Sequence, residues 1–143
     1  MKRNGSAEWS GVLKSGCGVV STESGVLKNA QYSFGTRFDN DPGTNPEELI
    51  AAAHAACFSM ALAAIVEREE LKNESIKTTA TVTLEKSEDG YTIPAIHIQV
   101  IAKIPDINEV AFIKLANEAK KGCPVSQLMN AEITLDAKLA AGV

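Results

Sequence analysis

From Leu49 to Val66 the chain runs without a single Asp, Glu, Lys or Arg, introduced by Asn45-Pro46-Glu47-Glu48 and closed by Glu67-Arg68-Glu69-Glu70. Its start signals are helical. Pro46 suits the first helical position, where its missing N–H costs nothing, and Asn45 with Glu48 has the spacing of a capping box, Asn replacing the usual Ser or Thr. A helix from Pro46 to about Leu71 is expected. The run approaches membrane-spanning length, but its many alanines, His54 and the charged tail fit a buried helix of a globular core better. The chain has 143 residues and 45% apolar content, enough for one core that buries roughly 68–70% of the unfolded surface. A single domain over residues 1–143 is expected.

The segments around this helix read as strands and turns. Alternation in Ala7 to Val12 and in Gly18 to Thr22, separated by Lys14-Ser15-Gly16, predicts a hairpin. A third strand is expected over Gln31 to Phe38, followed by the loop Asp39-Asn40-Asp41-Pro42-Gly43. Downstream, Thr78 to Leu84 and Ile93 to Ile104 are β-rich runs joined by Glu88-Asp89-Gly90, an antiparallel pair with Pro94 at a strand start or edge. A helix over Asn108 to Lys121 is expected to turn Val110, Ile113 and Leu115 toward the core and to stop at Gly122. A short helix from Cys123-Pro124 through Met129 and a closing strand over Ile133 to Leu139 complete the chain. Strands and helices segregate rather than repeat, so the class is α+β with a mainly antiparallel sheet, one long central helix and shorter ones.

Charge narrows the partners. A net charge of −4 and a pI near 5.2, with basic residues scattered, argue against nucleic acid and an anionic membrane surface. Met1-Lys2-Arg3-Asn4-Gly5 is not followed by the apolar stretch of a secretory signal, so a cytoplasmic protein is expected. Three cysteines do not make a secreted disulfide scaffold, and no pair has the Cys-x-x-Cys spacing of a zinc site.

Chemistry or burial must therefore account for Cys57, in the middle of the apolar run, and Cys123, which opens Gly122-Cys123-Pro124-Val125-Ser126. A thiol attacks only as thiolate and needs a cation or a helix N-terminus nearby. Cys57 lies about three turns into its helix among apolar residues, where burial raises its pKa. Cys123 stands at a helix start, so on local physics it is the better nucleophile. At about 100° per residue, Glu47 lies roughly 80° around the helix from Cys57 and Glu48 on the opposite side. Glu48 thus serves the cap, while Glu47 either holds a cation over the sulfur or is a first-turn acid favoured by the helix dipole. His54, three residues before Cys57, is either a base or ion-pair partner of the thiol or a hydrogen-bonded core residue. Cys17 beside two glycines has no evident task, and His97 between Ile96 and Ile98 falls on a sheet's polar face.

Three stretches carry a resemblance that spans nearly the whole chain: Val20 to Leu27, Gly43 to Met60, and Gly122 to Ser126 with Ala131 to Leu135. Together they resemble the OsmC/Ohr family, and two cysteine-centred motifs in the right order are far more specific than either alone. The resemblance implies an intertwined homodimer of α+β fold with its active sites at the subunit interface. It implies a thiol-dependent peroxidase that reduces organic hydroperoxides, and less efficiently hydrogen peroxide, in oxidative and osmotic stress defence. Cys57 matches the peroxidatic cysteine, Cys123 the resolving cysteine, Arg37 the arginine that contacts the reactive thiol, and Glu47 the glutamate that orients it. This reverses the local ranking of the two sulfurs, with Arg37 supplying the missing cation.

In the implied mechanism Cys57 becomes a sulfenic acid, Cys123 condenses with it to a disulfide, and an external dithiol restores both. No metal, flavin or haem is called for. Ala, Leu, Met and Phe around the thiol favour greasy hydroperoxides. A redox-responsive binding protein with the same cysteine pair would be oxidised once without rapid turnover, and a purely structural dimer would ignore peroxide.

Overall fold

The computed structural model describes residues 1–140, and the chain divides into two compact units, Met1–Leu49 and Ile50–Val143. In the first, β1 (Gly5–Ser10), β2 (Cys17–Thr22) and β3 (Ala30–Tyr32) form an antiparallel sheet in the order β1-β2-β3. The expected hairpin is β1 and β2. Gly18 pairs with both Trp9 and Tyr32, whose rings lie 5.6 Å apart. A Cβ on Gly18 would stand 2.5 Å from the Tyr32 ring and 2.8 Å from Trp9, so only glycine lets the two rings converge there.

The third strand is shorter than expected. It ends at Tyr32, and Phe34–Phe38 is a helical turn, α1. The cause is a reciprocal cap: the Ser33 hydroxyl accepts from the Thr36 N–H at 3.2 Å, and the Thr36 hydroxyl accepts from the Ser33 N–H at 2.8 Å. Threonine here fills the place usually taken by Glu or Gln in such a box, which satisfies two backbone donors and turns the chain out of the sheet. Arg37 accordingly sits on a helix, not a strand.

Helix α2 (Pro46–Arg68) starts where expected. Asn45 Oδ1 accepts from the Glu48 N–H at 2.8 Å, but the Glu48 carboxylate accepts from the Thr44 hydroxyl at 2.6 Å, so only one arm of the expected box forms. Its end comes three residues before the expected Leu71. Glu70 takes the left-handed conformation (φ 58°), and the Glu70 and Leu71 N–H groups bond to the Glu67 and Val66 carbonyls at 2.9 and 3.1 Å. That is a Schellman stop with glutamate where glycine is usual.

In the second unit α2 buries His54, Phe58, Leu62 and Val66, spaced one turn apart. These side chains meet a sheet of β4 (Ser75–Ser87), β5 (Gly90–Lys103) and β6 (Glu132–Leu139), ordered β4-β5-β6. Strand β5 alternates strictly: Ile96, Ile98, Val100 and Ala102 are buried while His97, Gln99 and Ile101 face outward. One face is core and the other is polar. On the outer face His97 Nδ1 meets the Thr134 hydroxyl at 2.6 Å. Helix α3 (Glu109–Gly122) closes the core with Phe112, Leu115, Ala116 and Ala119. Asn108 caps it, accepting from the Ala111 N–H at 2.8 Å. Val110 and Ile113, expected inside, are 81% and 41% exposed. The buried stripe is set by Phe112 and two alanines, whose small side chains let the helix approach the sheet.

Helix α2 is long and apolar enough to cross a membrane by length and composition. Phe58, Leu62 and Val66 nevertheless belong to the same buried cluster as Ile98, Val100 and Phe112, which is the place of a core helix. Arg68 at its end grips Glu118 of α3 through two bonds of 2.6 and 3.0 Å.

Strand β6 pairs with β5 in parallel, from Ala95↔Glu132 to Ala102↔Leu139. The closing strand was expected, its direction was not. Helices α3 and α4 (Pro124–Leu128) carry the chain back along the sheet, as a parallel pairing requires. Pro94 lies inside β5, one residue before pairing with β6 begins and beside the register shift between Thr83 and Glu85. Its missing donor is thereby spared a ladder partner.

Candidate active site

The four residues singled out in the sequence fall into two contacting pairs, one in each unit. In the first unit, Arg37 Nε donates to both Glu47 carboxylate oxygens at 2.9 and 3.2 Å, and Nη2 donates to Oε1 at 2.7 Å. Charge-assisted forks of this kind fix a guanidinium's orientation. The carboxylate is 11% exposed and the guanidinium side 37%, so Glu47 holds the arginine while leaving it accessible. The Arg37 guanidinium also stands 5.4 Å from the centre of the Phe38 ring.

Local structure keeps the pair in place. Asn45, besides capping α2, donates from Nδ2 to the Thr36 carbonyl at 3.1 Å, which ties the helix of Arg37 to the helix of Glu47. The loop between them needs Gly43, whose φ is 141°; a Cβ there would lie 2.7 Å from Thr36 Cγ2 and 2.8 Å from the Gln31 carbonyl. Only glycine adopts that backbone without strain.

In the second unit Cys57 packs against the core cluster that contains Cys123, and each thiol shifts the ionisation of the other. Both are free. They differ in access: Cys123 is fully buried, whereas Cys57 is partly exposed. They differ in acidity in the other direction. Burial pushes the Cys57 thiol up, its contact with Cys123 pushes it further, and the Val125 backbone only partly opposes this. Burial also works against the Cys123 thiolate, but Cys57, the backbone and hydroxyl of Ser126, and the Val125 backbone outweigh it, so this thiol is held below its ordinary value. Within this unit the accessible sulfur is the less acidic one.

His54 is fully buried, and its Nε2 meets the Ser126 hydroxyl at 2.7 Å. Its partner is thus Ser126 rather than Cys57. Ser126 was not singled out in the sequence; the only signal was a polar residue three positions after Cys123, in the first turn of α4. Cys17 is exposed in the first unit, beside a cleft of about 470 Å³ that Glu8, Ser10 and Thr36 also line.

This arrangement pairs an accessible thiol with a buried, more acidic one, and separately an accessible arginine with a carboxylate. The family model for OsmC-like proteins matches residues 38–138. The chain belongs to the OsmC-like family. It is 50% identical over 137 residues to peroxiredoxin OsmC of Escherichia coli, covering 96% of both chains. It is 27% identical over 124 residues to the organic hydroperoxide resistance protein OhrB of Bacillus subtilis, covering 85% of this chain and 89% of that one. The solved structure of B. subtilis OhrB superposes with a TM-score of 0.69 at 24% identity, over 96% and 98% of the two chains. An OsmC-like protein from Vibrio cholerae does so with 0.75 at 14% identity, over 96% and 99%. Those two likenesses establish the α+β fold.

Proposed function

We propose that this chain is a thiol-dependent peroxidase that reduces organic hydroperoxides, with hydrogen peroxide the poorer substrate. The observation that carries the reading is the contact between a partly exposed Cys57 and a fully buried Cys123, both free. Access orders the two sulfurs where acidity does not, since a peroxide must reach the sulfur it oxidises. Cys57 attacks the peroxide oxygen, releases an alcohol and keeps the other oxygen as sulfenic acid; Cys123 then condenses with it, and an external dithiol reduces the disulfide.

The raised pKa of Cys57 makes a cation necessary. In this reading Arg37, aimed by Glu47, is that cation and stabilises both the thiolate and the departing alkoxide. The preference for organic substrates follows from the apolar surroundings of Cys57, which lies in a run from Leu49 to Val66 without a charged side chain. The protein works as a homodimer in the cytoplasm, the compartment where thiols are kept reduced.

Steady-state consumption of an alkyl hydroperoxide with excess dithiol tests the reading. Cys57→Ser is expected to abolish it, and Cys123→Ser to consume one equivalent and stop at a trappable sulfenic acid. Full turnover by Cys57→Ser would overturn the assignment. A single stoichiometric oxidation of the unsubstituted protein would make it a redox-responsive binding protein instead.

A further inference from the structure

The His54 imidazole has one polar partner and one vacancy. Its Nε2 is 2.7 Å from the Ser126 hydroxyl, while Nδ1 is buried with no hydrogen-bond partner among the described residues. A neutral imidazole carries one donor and one acceptor nitrogen. Were Nε2 the acceptor, Nδ1–H would be a donor buried without an acceptor. With Nε2 as donor, the unmatched atom is only an acceptor lone pair, and orphaned buried N–H groups are the rarer case. The tautomer so assigned is Nε2–H, donating to Ser126 Oγ. That leaves the single Ser126 proton free for Cys123, which lies three residues earlier at the start of α4 and is buried like Ser126; the lowering of the Cys123 thiol by Ser126 agrees with this. Burial, which lowers the His54 pKa, keeps the ring neutral and consistent with this tautomer.

We propose that His54 and Ser126 form a positioning pair for Cys123, in which His54 Nε2–H fixes the Ser126 hydroxyl and leaves its proton to meet the Cys123 sulfur. The proposal rests on the resolving role of Cys123 given above. In resolution, the Cys123 thiolate attacks the Cys57 sulfur of the sulfenic acid. An S–S bond forms, the S–O bond breaks, and the hydroxide leaves as water with the proton that Cys123 lost on ionising. One sulfur is reduced and the other oxidised, so no further oxidant or reductant enters. The same donors act when the external dithiol returns. The lower-pKa sulfur leaves faster in thiol–disulfide exchange, so the dithiol attacks Cys57 and expels Cys123, and the burial of Cys123 favours the same choice.

Two measurements test the pair. In the first, one equivalent of alkyl hydroperoxide is mixed with reduced protein, and the decay of the sulfenic acid is followed by timed trapping with dimedone. Ser126→Ala and His54→Phe are expected to prolong the sulfenic acid about tenfold or more, the loss of one hydrogen bond to a charged group. Ser126→Thr, which keeps the hydroxyl, restores decay to within about twofold. In the second, ultraviolet thiolate absorbance is titrated in Cys17→Ser/Cys57→Ser, where Cys123 is the one remaining thiol. Adding Ser126→Ala moves that titration to higher pH, a change that a merely structural role would not produce. Should His54→Phe fail to fold, Ser126→Ala with its threonine rescue decides the matter. Unchanged sulfenic acid decay and an unmoved titration in Ser126→Ala overturn the pair, provided that Cys123→Ser stalls as sulfenic acid. Should Cys123→Ser itself resolve and turn over, it is the resolving role that fails.

Discussion

The two sulfurs divide accessibility and acidity between them, and this division sets what each neighbouring residue must do. Besides Cys57, Cys123 finds its stabilising donors within three residues of chain, at Val125 and Ser126. Cys57 has only the Val125 backbone to offset burial and Cys123, so in the proposed mechanism its activation is assigned to Arg37. An opposite charge within reach of an ionisable group moves its pKa by about 1 to 3. Arg37→Ala is therefore expected to raise the Cys57 thiol pKa by about that amount and to slow its oxidation, with Arg37→Lys intermediate because lysine lacks the fork that Glu47 holds. A thiol titration of Cys123→Ser that is indifferent to Arg37 would remove the arginine from the mechanism. His54 makes a second, independent prediction. Burial lowers its pKa, so the unfolded chain takes up a proton near 6.5 that the folded protein refuses. Its contribution to stability is fully present above that value and is lost as the pH falls from it toward the folded value. Thermal unfolding between pH 7 and pH 5 should show a decline that is shallower in His54→Gln.

At the scale of elements, the start of α2 is the joint on which the Arg37 pair depends. Asn45 caps this helix and also grips the Thr36 carbonyl. Asn45→Ala is expected to cost about 1 to 2 kcal/mol in urea unfolding, the usual penalty for a lost cap. It should also weaken peroxidase activity by loosening Arg37, whereas Asn45→Asp, which keeps the capping acceptor, should recover most of the stability and less of the activity. Much of this element was legible beforehand, since Asn45, Pro46 and the apolar run are local signals of a helix start. What escaped was carried by substitutes or by distance. Threonine at position 36 closed a capping box usually closed by Glu or Gln, so α1 read as strand, and glutamate at position 70 replaced the glycine of a helix stop. The parallel direction of β6 depends on where two helices deliver the chain, and the inward turn of α3 depends on which side chains the sheet admits. The cysteines were singled out from their local setting, Glu47 from helix geometry and Arg37 through the family resemblance, while Ser126 became visible only when folding set it against His54, 72 residues away in sequence.

For the molecule as a whole, the apolar run from Leu49 to Val66 is only half accounted for by one chain. Helix α2 sends Phe58, Leu62 and Val66 into the core, yet Ala53, Ala56, Met60 and Ala64 form a second apolar stripe that is exposed, Met60 to 75%. A helix apolar on every side is stable in water only if every side is covered. A second copy of the chain is the covering that the proposed homodimer supplies, and it would exclude water from the helix that carries Cys57. Burying one such methionine contributes about 1.5–3 kcal/mol, and an ionised glutamate in its place would have to be desolvated without a partner. Since a twofold interface presents the same residue twice, Met60→Glu is expected to weaken dimerisation by at least about a hundredfold, each 1.4 kcal/mol being a factor of ten. Sedimentation velocity should then show a monomer where the unsubstituted protein is a dimer, with helical circular dichroism preserved and peroxide turnover reduced. A variant that stays dimeric and fully active would place the interface elsewhere and leave this stripe of α2 facing water.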